Sequence, residues 1–150
     1  MNGVRVTQMV LSLVGGGPAR SRFRVVLLAV KEWARLNGIY SNMLGFLGGV
    51  NYAILVACVC QRYPNAAPSH LLRQFFVMFA DWRWPTPVAL CPVQSSPPPG
   101  WAPQQVWCPA RNRRDAFHLM PIITPCYPSM NSAYNVGAAQ LRRIKFELER

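Results

Sequence analysis

The chain has 150 residues, 51% of them hydrophobic, which is the size of one ordinary domain with enough apolar content for a single core. Sixteen Lys and Arg against five Asp and Glu leave a formal charge of +11, which argues against a basic partner and for a polyanion: nucleic acid, a nucleotide or an acidic membrane surface. Five cysteines without a C-x-x-C pair, and His70 and His118 without a Cys or His at ligand spacing, argue against a disulfide framework and a zinc site; free thiols in a reducing compartment are expected and no metal ligand is assigned.

In chain order, residues 1–17 carry an Arg and a short apolar run, but Thr7, Gln8 and Ser12 interrupt it, so it makes a poor h-region and no signal peptide is expected. RFRVVLLAVKEWARL at 22–36 has a helical composition and is apolar at nearly every position. Its exceptions are Arg24, Lys31, Glu32 and Arg35; the three cations are spaced seven and four apart and share one stripe of an otherwise buried helix. Taken alone, such a stripe reads as a solvated face. Gly38 follows where a C-cap residue would stand.

The stretch 38–61 holds no charged residue, and 43–60 approaches the length of a membrane span, with Gly45 and Gly49 at GxxxG spacing. Asn42 and Asn51 inside it, with Arg62 and Pro64 just after it, favour instead a core helix from about Gly45 to Tyr63, apolar on all sides. A small membrane protein built on 43–60 is the rival reading. Pro68-Ser69 opens a third helix that sets Leu71, Leu72, Phe75, Phe76, Phe79 and Trp82 on one face, to pack on the second. Eight of the fourteen prolines fall between Pro85 and Pro109, which marks an extended or partly disordered loop. Arg111, Arg113 and Arg114 then form a basic cluster, HLMPIITP is a short rigid run, and 137–150 reads as a last helix. The expected fold is mainly α, a small helical bundle with a Pro-rich insertion at about 85–109.

Several long strings together resemble the central domain of eukaryotic poly(A) polymerases. They are NGVRVT at 2–7, GIYSNMLGFLGGV at 38–50, YPNAAPS at 63–69, FFVMFADWRWPTPV at 75–88 and HLMPIITPCYPSMNSAYNV at 118–136, in the family's order and covering Asn2 to about Val136. The departures are Val4 where the family usually has Cys, a longer connection GGGPARSR at 15–22, and a rearranged Pro-rich region with Cys108 where Asp generally follows Trp. The resemblance implies a nuclear polynucleotide adenylyltransferase that adds AMP, without a template, to RNA 3′ ends in mRNA polyadenylation, with ATP as substrate. It also implies partners: ATP, the RNA 3′ end and a nucleotidyltransferase domain that carries the Gly-Ser motif and metal-binding carboxylates, with Mg or Mn expected only together with that domain. That catalytic domain and a C-terminal RNA-binding domain are expected outside this chain. A non-catalytic, RNA-binding paralogue fits the same strings.

The carboxylates support that division. Two-metal nucleotidyl transfer needs clustered acids, whereas Glu32, Asp81, Asp115, Glu147 and Glu149 contain no DxD pair, and helical residues two apart do not face one way. No catalytic residue is therefore assigned. By resemblance, Lys31 and Tyr40 reach the triphosphate, and Gly48 and Gly49 let backbone approach the base while Val50 adds an apolar edge. Asn2 lies near sugar and phosphates, Thr124 at the adenine edge, and Asn42 and Met130 near the base pocket or primer end. Without the resemblance, Gly48 and Gly49 equally suit helix packing through small residues, and Thr124 a satisfied turn.

Overall fold

The computed structural model describes residues 3–150, so Asn2 lies outside the described residues. Among them the fold is mainly helical: α1 (Gly3–Val14), α2 (Pro18–Leu36), α3 (Gly49–Arg62), α4 (Pro68–Ala80), the single turn α5 (Arg113–Ala116) and α6 (Ala138–Glu149), with a 3-10 turn at Asn42–Leu44. Extended pairing among these residues is confined to isolated bridges, Tyr40–Leu47, Val88–Ile122 and Ile123–Asn131. The expected class, a small helical bundle, is the one found.

α3 is the central element because α1, α2 and α4 all pack against it, burying Asn51, Tyr52 and the whole run from Ile54 to Val59. Its 14 residues span about 21 Å at 1.5 Å per residue, short of the ~30 Å hydrocarbon layer. No helix among the described residues is long and apolar enough to cross a membrane, which disfavours the rival reading of 43–60. The helix starts at Gly49 rather than Gly45. Gly45 adopts φ +84° and closes the 3-10 turn through its N–H to the Asn42 carbonyl (3.1 Å), a left-handed conformation that glycine adopts without strain. Gly45 and Gly49 therefore share no helix, and the GxxxG seam does not form.

The helices before and after it depart from the sequence reading in instructive ways. Residues 3–14 form α1 because Val6 and Val10, one turn apart, bury themselves where α1 meets α3; the sequence weighs this stretch only against a leader. α2 begins at Pro18, ahead of the expected 22, since proline suits the first helical position. Only one side of α2 is buried, through Phe23, Val26, Val30 and Ala34, while Val25, Leu28 and Leu36 are exposed beside the basic stripe. α4 ends at Ala80, so Trp82 leaves the expected helical face. Its indole N–H instead donates to the Thr86 carbonyl (2.8 Å) and its ring stays beside Phe79 (5.5 Å).

The buried faces of α2 and α4 meet through aromatic rings. Trp33 lies edge-on to Phe75 (6.1 Å) and Phe76 (4.9 Å), and Phe75 touches Phe79 (5.4 Å). Phe75 and Phe79 are fully buried and each stabilises by roughly 1.5–3 kcal/mol through area alone, with edge-on contacts adding to it. α6 closes the far side of α4 with Ile144 and Leu148.

Residues 85–109 contain no helix or strand, yet the segment is pinned. Val88 donates to the Pro121 carbonyl (2.9 Å) and accepts from Ile123 N–H (2.9 Å), Gln94 N–H donates to Ser129 Oγ (2.6 Å), and Trp107 N–H donates to the Ser129 carbonyl (2.7 Å). The partner run from Met120 to Tyr127 is buried throughout. All five cysteines are free, and burial pushes the Cys60 thiol up to about 11, which keeps it protonated and unreactive at neutral pH.

Candidate functional site

The end of α2 sets the site. Gly38 takes φ +70°, its N–H reaches the Arg35 carbonyl (3.2 Å), and Ile39 N–H reaches the Ala34 carbonyl (3.0 Å). This is the paired bonding of a Schellman motif with buried Ile39 as its apolar clamp. The turn returns the chain across α3, where Tyr52 donates its hydroxyl to the Ile39 carbonyl (2.8 Å). Burial, with Tyr40 adding to it, pushes the Tyr52 phenol above its ordinary range and keeps that donor protonated. Tyr40 stacks on Tyr52 at 5.8 Å and 13°, and the Arg35 guanidinium lies over the Tyr40 ring at 4.8 Å.

Held in this way, the Tyr40 hydroxyl arrives beside Gly49, the first residue of α3. A Cβ at Gly49 would stand 3.0 Å from the Tyr40 hydroxyl oxygen and 3.6 Å from Lys31 Nζ. A phenol and an ammonium from two different elements therefore meet at the N-terminus of the central helix, where N–H groups lack intrahelical acceptors and the dipole favours negative charge. Gly48 behaves differently. It is buried, its N–H is taken by Asn51 Oδ1 (2.8 Å), and a Cβ there would stand 2.6 Å from Asn42 Nδ2. Gly48 thus caps α3 with Asn51 and packs against Asn42, and of the two adjacent glycines only Gly49 lies in the lining of a groove.

In front of Gly49 lies a groove of about 400 Å³ whose walls include Phe23, Arg24, Leu27, Lys31 and Val50 from the bundle and Thr7 from α1. Its lining holds two cations and no carboxylate. Lys31 forms no ion pair among the described residues, where both ion pairs belong to buried Glu147, with Arg143 (3.2 Å) and Arg150 (3.3 Å). An apolar floor flanked by Arg24 and Lys31, cations unpaired among the described residues and two turns apart on α2, suits a flat base and a polyphosphate. Another hollow, about 700 Å³ beside α6, is lined by Glu147, Glu149 and Arg150, a mixed set in which Glu147 already pairs with Arg150.

Thr124 and Met130 stand apart from this groove, together in a second hollow of about 600 Å³ with Arg5, Trp101 and Tyr127. Thr124 is 2% exposed; its Oγ1 accepts from Met130 N–H (3.1 Å) and its own N–H donates to the Met130 carbonyl (2.9 Å), so the turn uses both groups. The structure thus brings Lys31, Tyr40, Gly49 and Val50 together, with Gly48 and Asn42 behind them, and gathers Thr124 with Met130 elsewhere. α1 lines both places, through Arg5 and Val6 on one and Thr7, Val10 and Leu11 on the other.

Among the described residues no three of His, Cys, Asp and Glu gather at a site. Asp115 accepts from Cys108 N–H (2.9 Å) and Glu147 is ion-paired. These residues do not fit a carboxylate-held pair of divalent ions.

Residues 22–150 match the family of poly(A) polymerase central domains. The chain belongs to that family. It is 51% identical over 142 residues to nuclear poly(A) polymerase 2 of Arabidopsis thaliana, an overlap of 95% of this chain and 17% of that protein. It is 49% identical over 150 residues to nuclear poly(A) polymerase 1 of the same plant, covering 100% of this chain and 20% of that protein. The poly(A) polymerase of Dictyostelium discoideum is likewise 49% identical over 150 residues, 100% of this chain and 17% of that protein. The chain spans at most 20% of the length of these three relatives.

For a poly(A) polymerase central domain, the residues that single out Lys31 and Tyr40 are as telling as the pair itself. Arg24 and Arg35 share the stripe of Lys31 and were legible there as a pattern, but not as a groove wall and a lid on Tyr40. Tyr52 and Asn51, which fix Tyr40 and the start of α3, carry no signal in the sequence beyond being polar groups in an apolar run.

Proposed function

We propose that this chain contributes ATP and RNA-primer binding to the template-independent addition of AMP to RNA 3′ ends, as the central domain of a nuclear poly(A) polymerase. The observation that carries the reading is the convergence of Lys31 Nζ and the Tyr40 hydroxyl on Gly49, at the mouth of an acid-free groove. Lys31 supplies a point charge to a phosphate oxygen, and Tyr40 supplies a hydroxyl whose position Tyr52 and Arg35 fix. Gly49 leaves the helix N-terminus unobstructed, while Val50, Leu27 and Phe23 give the base an apolar wall. Thr124 and Met130 act at the second hollow, on a base edge or the primer end. Family membership and relatives named as nuclear poly(A) polymerases support the assignment of reaction and compartment. The acids that would hold Mg or Mn belong to a nucleotidyltransferase domain that completes the cleft.

The test joins this chain to a nucleotidyltransferase domain of the family and follows AMP incorporation into an oligo(A) primer. Lys31→Ala should lose a charge-assisted contact of roughly 1–3 kcal/mol, about fivefold to 150-fold in kcat/KM for ATP, and Tyr40→Phe less, about 0.5–1.5 kcal/mol. Gly49→Ala should also lower activity, because its methyl would press on the Tyr40 hydroxyl. Undiminished kcat/KM in Lys31→Ala would overturn the reading. The 150-residue chain alone should incorporate no AMP with either metal, and any primer extension by pure material would contradict the carboxylate argument.

A further inference from the structure

Two hollows flank the Pro-rich segment and share Gln104 and Gln105 in their walls. The first, about 600 Å³, has Arg5 and Trp101 at its edge; the second, about 680 Å³, extends to Trp107 and Arg111. Taken together across the shared pair, they make a furrow with an arginine in the wall of each part. Neither wall contains a carboxylate, and Asp115, close to Arg111 in sequence, is turned to the Cys108 N–H (2.9 Å). Arg113 and Arg114 extend the positive charge just beyond Arg111.

The furrow is built by specific bonds. The Tyr127 hydroxyl accepts from Gln104 N–H (2.6 Å) and donates to the Gln104 carbonyl (3.3 Å), which fixes that main chain and leaves the side chain outside. Gln104 and Gln105 are exposed, and their amides form no side-chain hydrogen bond among the described residues. Trp107 is locked through its indole N–H to His118 Nδ1 (3.1 Å). Trp101 is 41% exposed yet oriented, with the Arg5 guanidinium over its ring at 4.4 Å and Tyr127 edge-on at 6.4 Å.

An oriented, exposed indole, two unbonded amides, an arginine in the wall of each part and no acid are what a single nucleic-acid strand requires: a stacking platform, donors and acceptors for base edges, and cations for phosphate. We infer that this furrow holds single-stranded RNA, with a base stacked on Trp101, base edges read by Gln104 and Gln105, and a phosphate on Arg111. The inference rests on the RNA-primer reading above, but its residues are separate from the Lys31 groove.

The experiment measures binding of short labelled oligo(A) to the 150-residue chain by fluorescence anisotropy, without ATP and at several salt concentrations. Trp101→Ala should weaken oligo(A) binding about tenfold while leaving an abasic strand of the same length unaffected. Arg111→Ala should weaken both strands and reduce the salt slope by about 1. Arg73→Ala, which removes the same charge from an exposed position on α4, should stay within about twofold. Equal losses in Arg73→Ala and Arg111→Ala would mean diffuse attraction and overturn the furrow. So would equal affinity for oligo(A) and the abasic strand, or no binding by the unaltered chain. Because no nucleotide is present, those failures leave the Lys31 result untouched, and a failure at Lys31 leaves these binding ratios untouched.

Discussion

The helical half of the molecule, residues 18–80, and the coil half, residues 81–137, reach similar burial by different means. In the first, backbone polar groups satisfy one another within α2, α3 and α4, so the side chains at the contacts can be purely apolar: Val26, Val30, Ile54, Phe75 and Phe79. In the second, the run from Met120 to Tyr127 has only isolated bridges to Val88 and Asn131, and polar side chains supplement them. Asn131 Oδ1 accepts from Ile122 N–H (2.9 Å) and Ala133 N–H (2.8 Å), and Ser132 Oγ donates to the Ile122 carbonyl (2.7 Å) and accepts from Asn51 Nδ2 (2.8 Å). A buried chain without secondary structure must still satisfy every N–H and C=O, so the helical half should be sensitive to lost volume and the coil half to lost polarity.

The largest effect is expected in the helical half. Phe75→Ala should cost about 3–5 kcal/mol in urea unfolding, because Phe75 is fully buried among Trp33, Phe76 and Phe79. Phe75→Leu should recover most of that loss. Next comes Asn131, where either Ala or the bulkier Leu leaves two buried N–H groups without an acceptor, at about 2–4 kcal/mol. If Leu proved more than about 1 kcal/mol milder than Ala at 131, volume would govern both halves and the contrast would fail.

The Tyr52 hydroxyl makes a polar bond inside the helical half. Tyr52→Phe should cost about 1 kcal/mol at pH 7 by removing the bond to the Ile39 carbonyl. The phenol is raised in the folded state by burial, so its contribution is complete below the ordinary unfolded value of about 10 and is lost as pH climbs above it. Stability measured from pH 8 upward should therefore fall more steeply in the unaltered chain than in Tyr52→Phe; parallel curves would contradict the buried donor. The smallest effect belongs to Arg73→Ala on the exposed face of α4, which should stay within about 0.5 kcal/mol in thermal unfolding.

How much was legible follows the same division. The cores of α2, α3 and α4 could be read because a helix repeats its environment every three to four residues, so Leu71, Phe75 and Phe79 declare their common face. Ends were less legible, as at Gly45 and Trp82, where φ and a local hydrogen bond decide. α1 is not legible because Thr7, Gln8 and Ser12 interrupt its short apolar run, which reads only as a poor leader. The site residues Lys31, Tyr40, Gly49 and Val50 were named through matched strings, but the strings did not separate Gly49, which faces the groove, from Gly48, which is covered by Asn42. Nor did they separate Thr124 and Met130 into another hollow.

The amino-acid sequence by itself determined a basic, mainly helical chain, its family strings and the scatter of its five acids, since composition, periodicity and local motifs are properties of neighbours along the chain. The tertiary structure alone decided that an ammonium from α2 and a phenol from the following loop meet at the first residue of α3. It also decided that Gln104 and Gln105 wall two hollows, each with an arginine in its lining. Both arrangements depend on long-range contacts, Tyr52 to Ile39 in one case and Tyr127 to Gln104 in the other, and such contacts are set by how packed elements bring distant residues within hydrogen-bond reach.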